Sequence, residues 1–339
     1  MISNPTPQRS LRGHMPQRST PRSATTSDHL ARLAKHLTPR DRWLMRMLFE
    51  HKVFTSHQIA ALAWPTTRAA NLRLLSLYKW RVLDRFQPFV TAGSAPMHYV
   101  LDTVGATFLA REDGLDLHEL GYRHDRAIGI AHSLRLAHTV GVNTFFTVLS
   151  ARTRRADTDG ELTAWWSEAR CHKHFGDIVR PDAYGRWRQH STEIEWFLEY
   201  DCGTEPLSLV ARKVSRYARL AATTGITTPV LLWMPSTRRE NRARRALTAA
   251  LAALDQPSLV PLATTSADLV AHPEQSDPAV ARWLPLDTAN SPQRRLKLAQ
   301  LGHAWPHLAP ITLANTGTTT SSPPPAPVAP APSSAESRR

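Results

Sequence analysis

Four residues in the second half of the sequence have the types and spacing for metal-assisted chemistry on a phosphate ester. Asp182 ends the run DIVRPD, Glu199 and Asp201 end the run EIEWFLEYD, and Lys213 lies one segment further on. Side chains two residues apart on a strand point to the same face of a sheet. We expect Asp182 and Glu199 to hold Mg²⁺ or Mn²⁺, because such hard cations prefer carboxylate oxygens. Asp201 would assist, and Lys213 would orient water or steady the phosphate charge.

The apolar pattern around these residues predicts a helix, three strands, a helix and a strand, in that order. The predicted helices cover 127–153 and 206–222, and the predicted strands cover 162–170, 177–182, 193–200 and 228–234. Asp182 would then end the second strand, and the metal site requires that strand to lie beside the third. A further helix capped by Ser236 and a strand over 259–262 follow. The alternative is that these carboxylates form ordinary ion pairs, for example Glu199 with Arg180.

The first half of the sequence has the pattern of a DNA-binding module. Residues 38–113 predict three helices, a hairpin with the turn TAGSAP and a further helix, which is the order of a winged helix-turn-helix. Near the start of the third helix, arginine and asparagine are the side chains that read guanine and adenine in a major groove. The predicted DNA-binding residues here are Arg68, Asn71, Arg73, Lys79, Arg81 and Arg85. A solvated helix face, or a protein-docking role, is the alternative.

The overall charge points to a polyanionic partner. Lysine and arginine number 42 against 28 acidic residues, for a net charge of +14. Nucleic acid is the first candidate and an anionic membrane surface is the second, although a genome that encodes arginine freely would give the same excess. A second basic cluster opens the helix after Ser236, and from it we assign Arg238, Arg239 and Arg242 to DNA phosphates.

Several other classes of protein are excluded or disfavoured. No apolar run reaches the ~18 residues of a membrane helix, and no secretory signal opens the chain, so we expect a cytoplasmic protein without membrane contact. The sequence contains neither a phosphate-binding GxxxxGK[ST] loop nor a GxGxxG fingerprint. Cys171 and Cys202 form no CxxC pair, which disfavours zinc at Cys171-His172-Lys173-His174, and a disulfide would need an oxidising compartment. We expect a polar hairpin with a buried or free thiol there.

The motifs Arg180-Pro181-Asp182 and Glu199-Tyr200-Asp201 resemble the PD-(D/E)XK nuclease superfamily. The resemblance implies a mixed sheet of the predicted order and a Mg²⁺ site at Asp182 and Glu199. This chain has Asp201 where the family has lysine, although some members move that lysine to the following helix, where Lys213 lies. The departure leaves two readings open: a Mg²⁺-dependent nuclease, or an inactive nuclease fold that still holds DNA.

A narrower resemblance covers about residues 37–285. The segments TPRDRWLM, RPDA and FLEYDCGTE, followed by Lys213-x-x-x-Tyr217, are similar to the actinobacterial replication-relaxation family, whose members are associated with plasmids and integrative elements. The resemblance implies a part in plasmid replication or in relaxing DNA for conjugative transfer. It implies DNA, and plasmid replication or transfer proteins, as partners. A non-catalytic regulator or adaptor with a degenerate nuclease fold is the alternative.

We therefore predict an α/β (α+β) protein with a winged helix-turn-helix and a restriction-endonuclease-like domain, and leave its oligomeric state open. The predicted segments are a disordered basic arm (1–27), a winged-helix DNA-binding domain (28–113), a linker (114–130), a nuclease-like domain (131–290) and a tail (291–339) rich in Pro, Ala and Ser from about 316.

Overall fold

The computed structural model describes residues 21–23, 26–90, 92–155, 159–269, 276–286, 294–308 and 323–332. The chain divides into two compact units, whose main parts are Pro5–Thr147 and Val148–Pro327. The division falls within a helix that covers Leu136–Thr153. Together the two units make a mixed α/β protein, as predicted.

The first unit combines helices with a small antiparallel sheet. Its helices are α1 (Ser27–His36), α2 (Pro39–His51), α3 (Ser56–Ala63), α4 (Thr67–Lys79), α5 (Thr103–Glu112), α6 (His124–Gly129) and α7 (Leu136–Thr153), and its strands are β1 (Phe54–Thr55), β2 (Leu83–Phe86) and β3 (His98–Leu101). β3 lies between β1 and β2 and pairs antiparallel with both. The predicted hairpin is therefore present with shorter strands, and β1 is an addition to it.

Local capping sets where the helices of the first unit begin. Thr38 and Asp41 form a capping box at α2 with Pro39 at the first helical position, and Thr66 caps α4. α3 is capped by Thr55, whose hydroxyl accepts from the Gln58 amide. These bonds satisfy amides that the first turn of a helix leaves without partners.

Two segments depart from the predictions for the first half of the chain. Arg22, assigned to the disordered arm, donates to the carbonyls of Tyr78 and Leu83 and pairs with Asp102. The predicted helix 127–153 is interrupted, since α6 ends at Gly129 and α7 starts only at Leu136. Residues 1–20, the greater part of the predicted arm, lie outside the described residues.

The second unit is built on a six-stranded mixed sheet. Its strands are β4 (Gly160–Ser167), β5 (Ala183–Gln189), β6 (Thr192–Tyr200), β7 (Val230–Met234), β8 (Leu262–Ser266) and β9 (Leu284–Leu286), and its helices are α8 (Glu168–Phe175), α9 (Leu207–Thr224), α10 (Thr237–Ala252) and α11 (Leu301–Ala304). The strands lie in sequence order. β4, β5 and β6 are antiparallel, β6, β7 and β8 are parallel, and β9 is antiparallel to β8.

The two parallel connections place α9 and α10 on one face of this sheet. A strand that returns to a parallel neighbour needs a crossover, and here each crossover is a helix. Val214 and Tyr217 of α9, Leu247 of α10, and Phe197 and Leu232 of the sheet all belong to one buried core. Each helix therefore has one face against the sheet and one away from it.

Four predicted elements of the second half differ from the structure, and one of them, the strand predicted over 259–262, is found at Leu262–Ser266 as β8. The first strand stops at Ser167, which caps α8, so the segment Cys171–His174 is helical and not a hairpin. Residues 177–182 are not a strand; Pro181 has no amide to donate to a ladder, and β5 starts at Ala183. Residues 294–308, assigned to the tail, contain the fully buried Leu298 and Leu301. In the described part of the chain, no helix is both long and apolar enough to cross a membrane.

Candidate functional site

The two predicted metal ligands, Asp182 and Glu199, lie at the adjacent ends of two neighbouring strands. Asp182 comes directly before β5, and β5 pairs antiparallel with β6. The Asp182 amide donates to the Leu198 carbonyl at 3.0 Å, and its carboxylate accepts from the Tyr200 amide at 2.8 Å. The position was predicted at the end of a strand and is found before the start of one. The two carboxylates still converge, because the start of β5 lies beside the end of β6.

Glu199 is closely surrounded by donors from α9. Its side chain is buried, and its Oε2 accepts from Lys213 Nζ at 2.7 Å. Its Oε1 accepts from the Tyr217 hydroxyl at 2.5 Å. Lys213 and Tyr217 are four residues apart, so they face the same side of the helix. We call Asp182, Glu199, Lys213 and Tyr217 the Glu199 cluster.

Burial and charge shift the titration of this cluster. Burial raises the pKa of Glu199, the Lys213 ammonium opposes this rise, and the nearby Asp182 carboxylate adds to it. Burial alone would lower the pKa of Lys213, but the carboxylates of Glu199, Asp182 and Glu205 outweigh it, so the Lys213 pKa is raised and the ammonium stays charged. Burial and Glu199 together raise the pKa of Tyr217, which remains a hydroxyl donor.

The Glu199 cluster as arranged does not fit a divalent cation. Both Glu199 oxygens already accept a hydrogen bond, and one donor is the Lys213 ammonium at 2.7 Å, whose positive charge repels a second cation at that carboxylate. Among the described residues, no group of three or more His, Cys, Asp or Glu is placed to hold a metal. What the cluster does chemically is hold a buried carboxylate between an ammonium and a hydroxyl.

Asp201, the third predicted acidic residue, has a different partner. Its carboxylate binds the Arg239 guanidinium, with Arg239 Nη2 at 3.0 Å from Oδ1, and also accepts from the Gly203 amide. Arg239 donates in addition to the Glu205 carbonyl. Asp201 and Arg239 thus join the end of β6 to the first turn of α10. Arg239 was predicted to contact phosphate, but its guanidinium is directed to Asp201.

The predicted DNA-binding residues of α4 divide into exposed and inward side chains. Arg68, Asn71 and Lys79 are exposed. Arg73 is directed inward, where it pairs with the buried Asp41, donates to the His36 carbonyl and lies over the Trp80 ring. Arg73 therefore holds α4 against the start of α2.

The two predicted basic residues around β2 also have internal partners. The Arg81 Nε lies 3.9 Å from the buried Asp102 carboxylate. The Arg85 guanidinium lies over the Tyr78 ring, 4.2 Å from its centroid, a distance typical of a cation–π contact. Both side chains are half-buried, so neither presents a fully exposed charge.

The basic cluster of α10 is similarly mixed. Arg238 and Arg242 are exposed and line a surface depression with Leu207, Ser236 and Arg239. Arg244 instead faces the sheet, where it donates to the Thr264 hydroxyl and to the carbonyls of Leu284 and Pro285. Ser236 caps the helix as predicted.

Two features of this unit were not predicted. Tyr217 appeared in the sequence only within a family motif, although its spacing of four from Lys213 could have indicated a shared partner. Glu195 is buried on β6 and accepts from Tyr184 and Arg186. No sequence signal distinguished it from a solvated carboxylate.

Cys171 is buried and Cys202 is exposed, and both are free thiols.

Comparison with protein families supports the family resemblance. The family model described as Replication-relaxation matches residues 45–232. Comparison with curated proteins and comparison with solved structures each found no significant match. The matched segment includes most of the first unit, the helix α4 and the whole Glu199 cluster. Because the match covers more than half of its 339 residues, this chain belongs to the replication-relaxation family.

Proposed function

We propose that this protein is a DNA-binding factor in the replication or relaxation of plasmid or mobile-element DNA. The family suggests that setting and implies DNA or replication-related partners. The observation that carries the DNA-binding part is the exposed face of α4, where Arg68 and Asn71 stand in the first half of the helix.

The surroundings of α4 support this assignment. The order α2, β1, α3, α4, β2, β3 is that of a winged helix-turn-helix, in which the third helix enters the major groove. Arg68, Asn71 and Lys79 recur at spacings of three and eight and so lie near one face of α4. Leu72, on the same face, is 61% exposed, and an apolar side chain there can contact a thymine methyl group.

The structure narrows the set of residues that a DNA-binding test should change. Arg73 supports the packing of α4, so its removal would weaken folding and binding together. Arg68 and Asn71 have no such internal partner among the described residues. Their removal therefore separates DNA contact from stability.

The test is duplex DNA binding by the double variant Arg68→Ala/Asn71→Ala. We expect its affinity to fall about tenfold or more, since good base contacts contribute ~1–3 kcal/mol each, while its melting temperature stays unchanged. A matched variant, His118→Ala/Arg126→Ala, removes two exposed polar side chains elsewhere and should bind normally. Equal affinity of the Arg68→Ala/Asn71→Ala variant and the wild type would remove α4 as the DNA surface.

Metal-dependent DNA cleavage is the second candidate function, favoured by the convergence of Asp182, Glu199 and Lys213. Because Lys213 and Tyr217 occupy both Glu199 oxygens, we propose that the protein binds DNA without cutting it. Supercoiled DNA should stay intact with the protein and Mg²⁺ or Mn²⁺. Metal-dependent nicking that disappears in Asp182→Ala/Glu199→Ala would reverse this and establish a nuclease.

A further inference from the structure

Two neighbouring helices of the second unit carry the same arrangement of arginines. In α9 the residues are Arg212, Arg216 and Arg219, and in α10 they are Arg238, Arg242 and Arg245. Each set has the spacing i, i+4, i+7, which places its members on one face of a helix. All six side chains are exposed. We call these six residues the α9–α10 arginine face.

Both sets point away from the sheet. In α9 the buried residues Val210, Val214 and Tyr217 lie on the opposite side of the helix from the arginines. In α10 the buried Ala243 and Leu247 do the same. Since both helices pack on the same face of the sheet and against each other, their outer sides form one continuous surface.

This surface carries little compensating negative charge. α9 contains no acidic residue, and the one acidic residue of α10, Glu240, is buried and pairs with Arg295. Within the described part of the chain, none of the six arginines forms an ion pair. Of the six, Arg219 donates a long hydrogen bond of 3.4 Å to the Ile178 carbonyl.

We propose that the α9–α10 arginine face is a second nucleic-acid surface of this protein, which takes the phosphate backbone of duplex DNA. This proposal rests on the proposed function, because it takes DNA as the ligand. It differs in placing the contact on the second unit and in assigning it to phosphates and not to bases. Each arginine set spans about 10 Å along its helix at ~1.5 Å per residue. That length matches about three phosphates of one strand at ~3.4 Å per phosphate.

A depression at the N-terminal end of the α9–α10 arginine face is a binding site for one of these phosphates. The depression lined by Leu207, Ser236, Arg238, Arg239 and Arg242 lies between the first turns of α9 and α10. Arg239 is held there by Asp201, and so the two exposed arginines Arg238 and Arg242 flank a fixed guanidinium.

The composition of the face favours nucleic acid over an anionic membrane. A helix that binds in a membrane surface inserts large apolar side chains such as Trp, Phe or Leu between its cationic residues. The exposed positions between or next to the arginines on this side of the helices are instead Ser208, Ser215, Asn241 and Thr248. Such a face attracts phosphates but has nothing to insert into lipid.

The experiment measures how duplex DNA affinity depends on salt in the full chain. Two triple variants are compared with the wild type, Arg212→Ala/Arg216→Ala/Arg219→Ala and Arg238→Ala/Arg242→Ala/Arg245→Ala. The control Arg111→Ala/Arg126→Ala/Arg188→Ala loses the same charge from exposed sites on other elements. Each arginine-face variant should lower the slope of log K against log salt by about two to three, at ~0.9 per phosphate contact, and the control should not. Glutamine versions replace any alanine variant that loses its melting transition.

The possible results separate this proposal from the proposed function. If the wild type binds no DNA, both fail. If Arg68→Ala/Asn71→Ala weakens binding while both arginine-face variants keep the wild-type slope, only the present proposal fails. Vesicles of phosphatidylserine serve as the rival probe, and loss of vesicle binding without a change in the DNA slope would assign the face to a membrane. A smaller slope of log K against log salt in the arginine-face variants, with no change in the control variant, supports the proposal.

Discussion

At the scale of single residues, the central observation is that partners decide what a buried carboxylate does. Glu199 is 4% exposed, lies near Asp182, and is bound by Lys213 and Tyr217. The same residue types could hold a metal ion or form a closed internal network. The donors on both oxygens of Glu199 make it an internal network, and the stability of that network can be measured.

Replacing Lys213 by methionine should destabilise the protein in a pH-dependent manner. The variant lacks the ammonium that opposes the burial-driven rise in the Glu199 pKa, so in the folded state that pKa lies further above its unfolded value. Stability linked to a raised carboxyl pKa is present below the unfolded pKa and is lost as the pH rises to the folded one. We expect a loss of ~1–3 kcal/mol near pH 5 and a larger loss near pH 8, measured by urea denaturation.

Tyr217→Phe is the matched control for this prediction. It removes one hydroxyl donor to Glu199 without removing a charge, so the expected loss is about 1 kcal/mol, with a pH dependence of the same sign but smaller than that of Lys213→Met. In the wild type, the raised pKa of Lys213 keeps the ammonium charged over the same range. A Lys213→Met loss that is equal at both pH values would contradict the account of Glu199.

At the scale of elements, long arginine side chains of one helix bind a carboxylate at the end of another helix or strand. Arg73 of α4 reaches the Asp41 carboxylate inside the capping box of α2, and Arg239 of α10 reaches Asp201 at the end of β6. Each contact satisfies a buried carboxylate that would otherwise be without a cation. These arginines are therefore part of the scaffold that carries the exposed arginines.

Arg73→Ala should destabilise the first unit, whereas substitution of the exposed Arg68 on the same helix should not. The variant leaves Asp41 buried without its cation, and we expect the free energy of unfolding to fall by ~1–3 kcal/mol. Arg68→Ala, on the same helix, should change it by less than ~0.5 kcal/mol, as exposed substitutions usually do. Thermal melts of both variants measure the difference, and equal melting temperatures would show that the Arg73 contact contributes nothing.

The packing of α5 gives a second prediction at this scale. A Cβ on Gly105 would lie 2.3 Å from the Val82 carbonyl oxygen, so α5 would have to move away from the chain before β2. We expect Gly105→Ala to cost about 2–3 kcal/mol or more. A Cβ on Gly129 of α6 would meet nothing within 4 Å, so Gly129→Ala should be neutral or slightly stabilising. Chemical denaturation measures the free energy of unfolding of both variants. An unchanged value for Gly105→Ala would contradict the close approach of α5 to the Val82 carbonyl.

At the scale of the whole molecule, the net charge of +14 should govern how the protein meets DNA. If the exposed basic residues of both units contact phosphates, raising salt from about 50 mM to about 200 mM should weaken binding to any duplex by ~10³-fold or more. Fluorescence anisotropy with two unrelated duplexes measures this. A change of less than about tenfold for both would mean that few phosphates are contacted and that the charge serves another purpose.

Much of the fold could be predicted because it depends on short-range chemistry. Thr38 and Ser236 cap their helices through bonds to residues three positions away, and the apolar spacing of α9 places its buried face. The interruption between α6 and α7 was missed. So was the start of β5 after Pro181, since a strand boundary depends on which neighbour supplies the ladder.

The members of the candidate site were predictable only in part, since Tyr217 was missed and Asp201 binds Arg239 instead, and the hydrogen bonds that close the cluster were not predictable. By its pattern alone, the sequence determined that Asp182, Glu199 and Lys213 would share one region of a mixed sheet and that a basic helix would follow. Only the tertiary structure decided which arginines turn inward, to Asp41 and Asp201, and which remain exposed on α9 and α10. The reason is physical: a charged side chain is identical in the sequence whether its partner is water or a buried carboxylate, and only packing brings that carboxylate within hydrogen-bond distance.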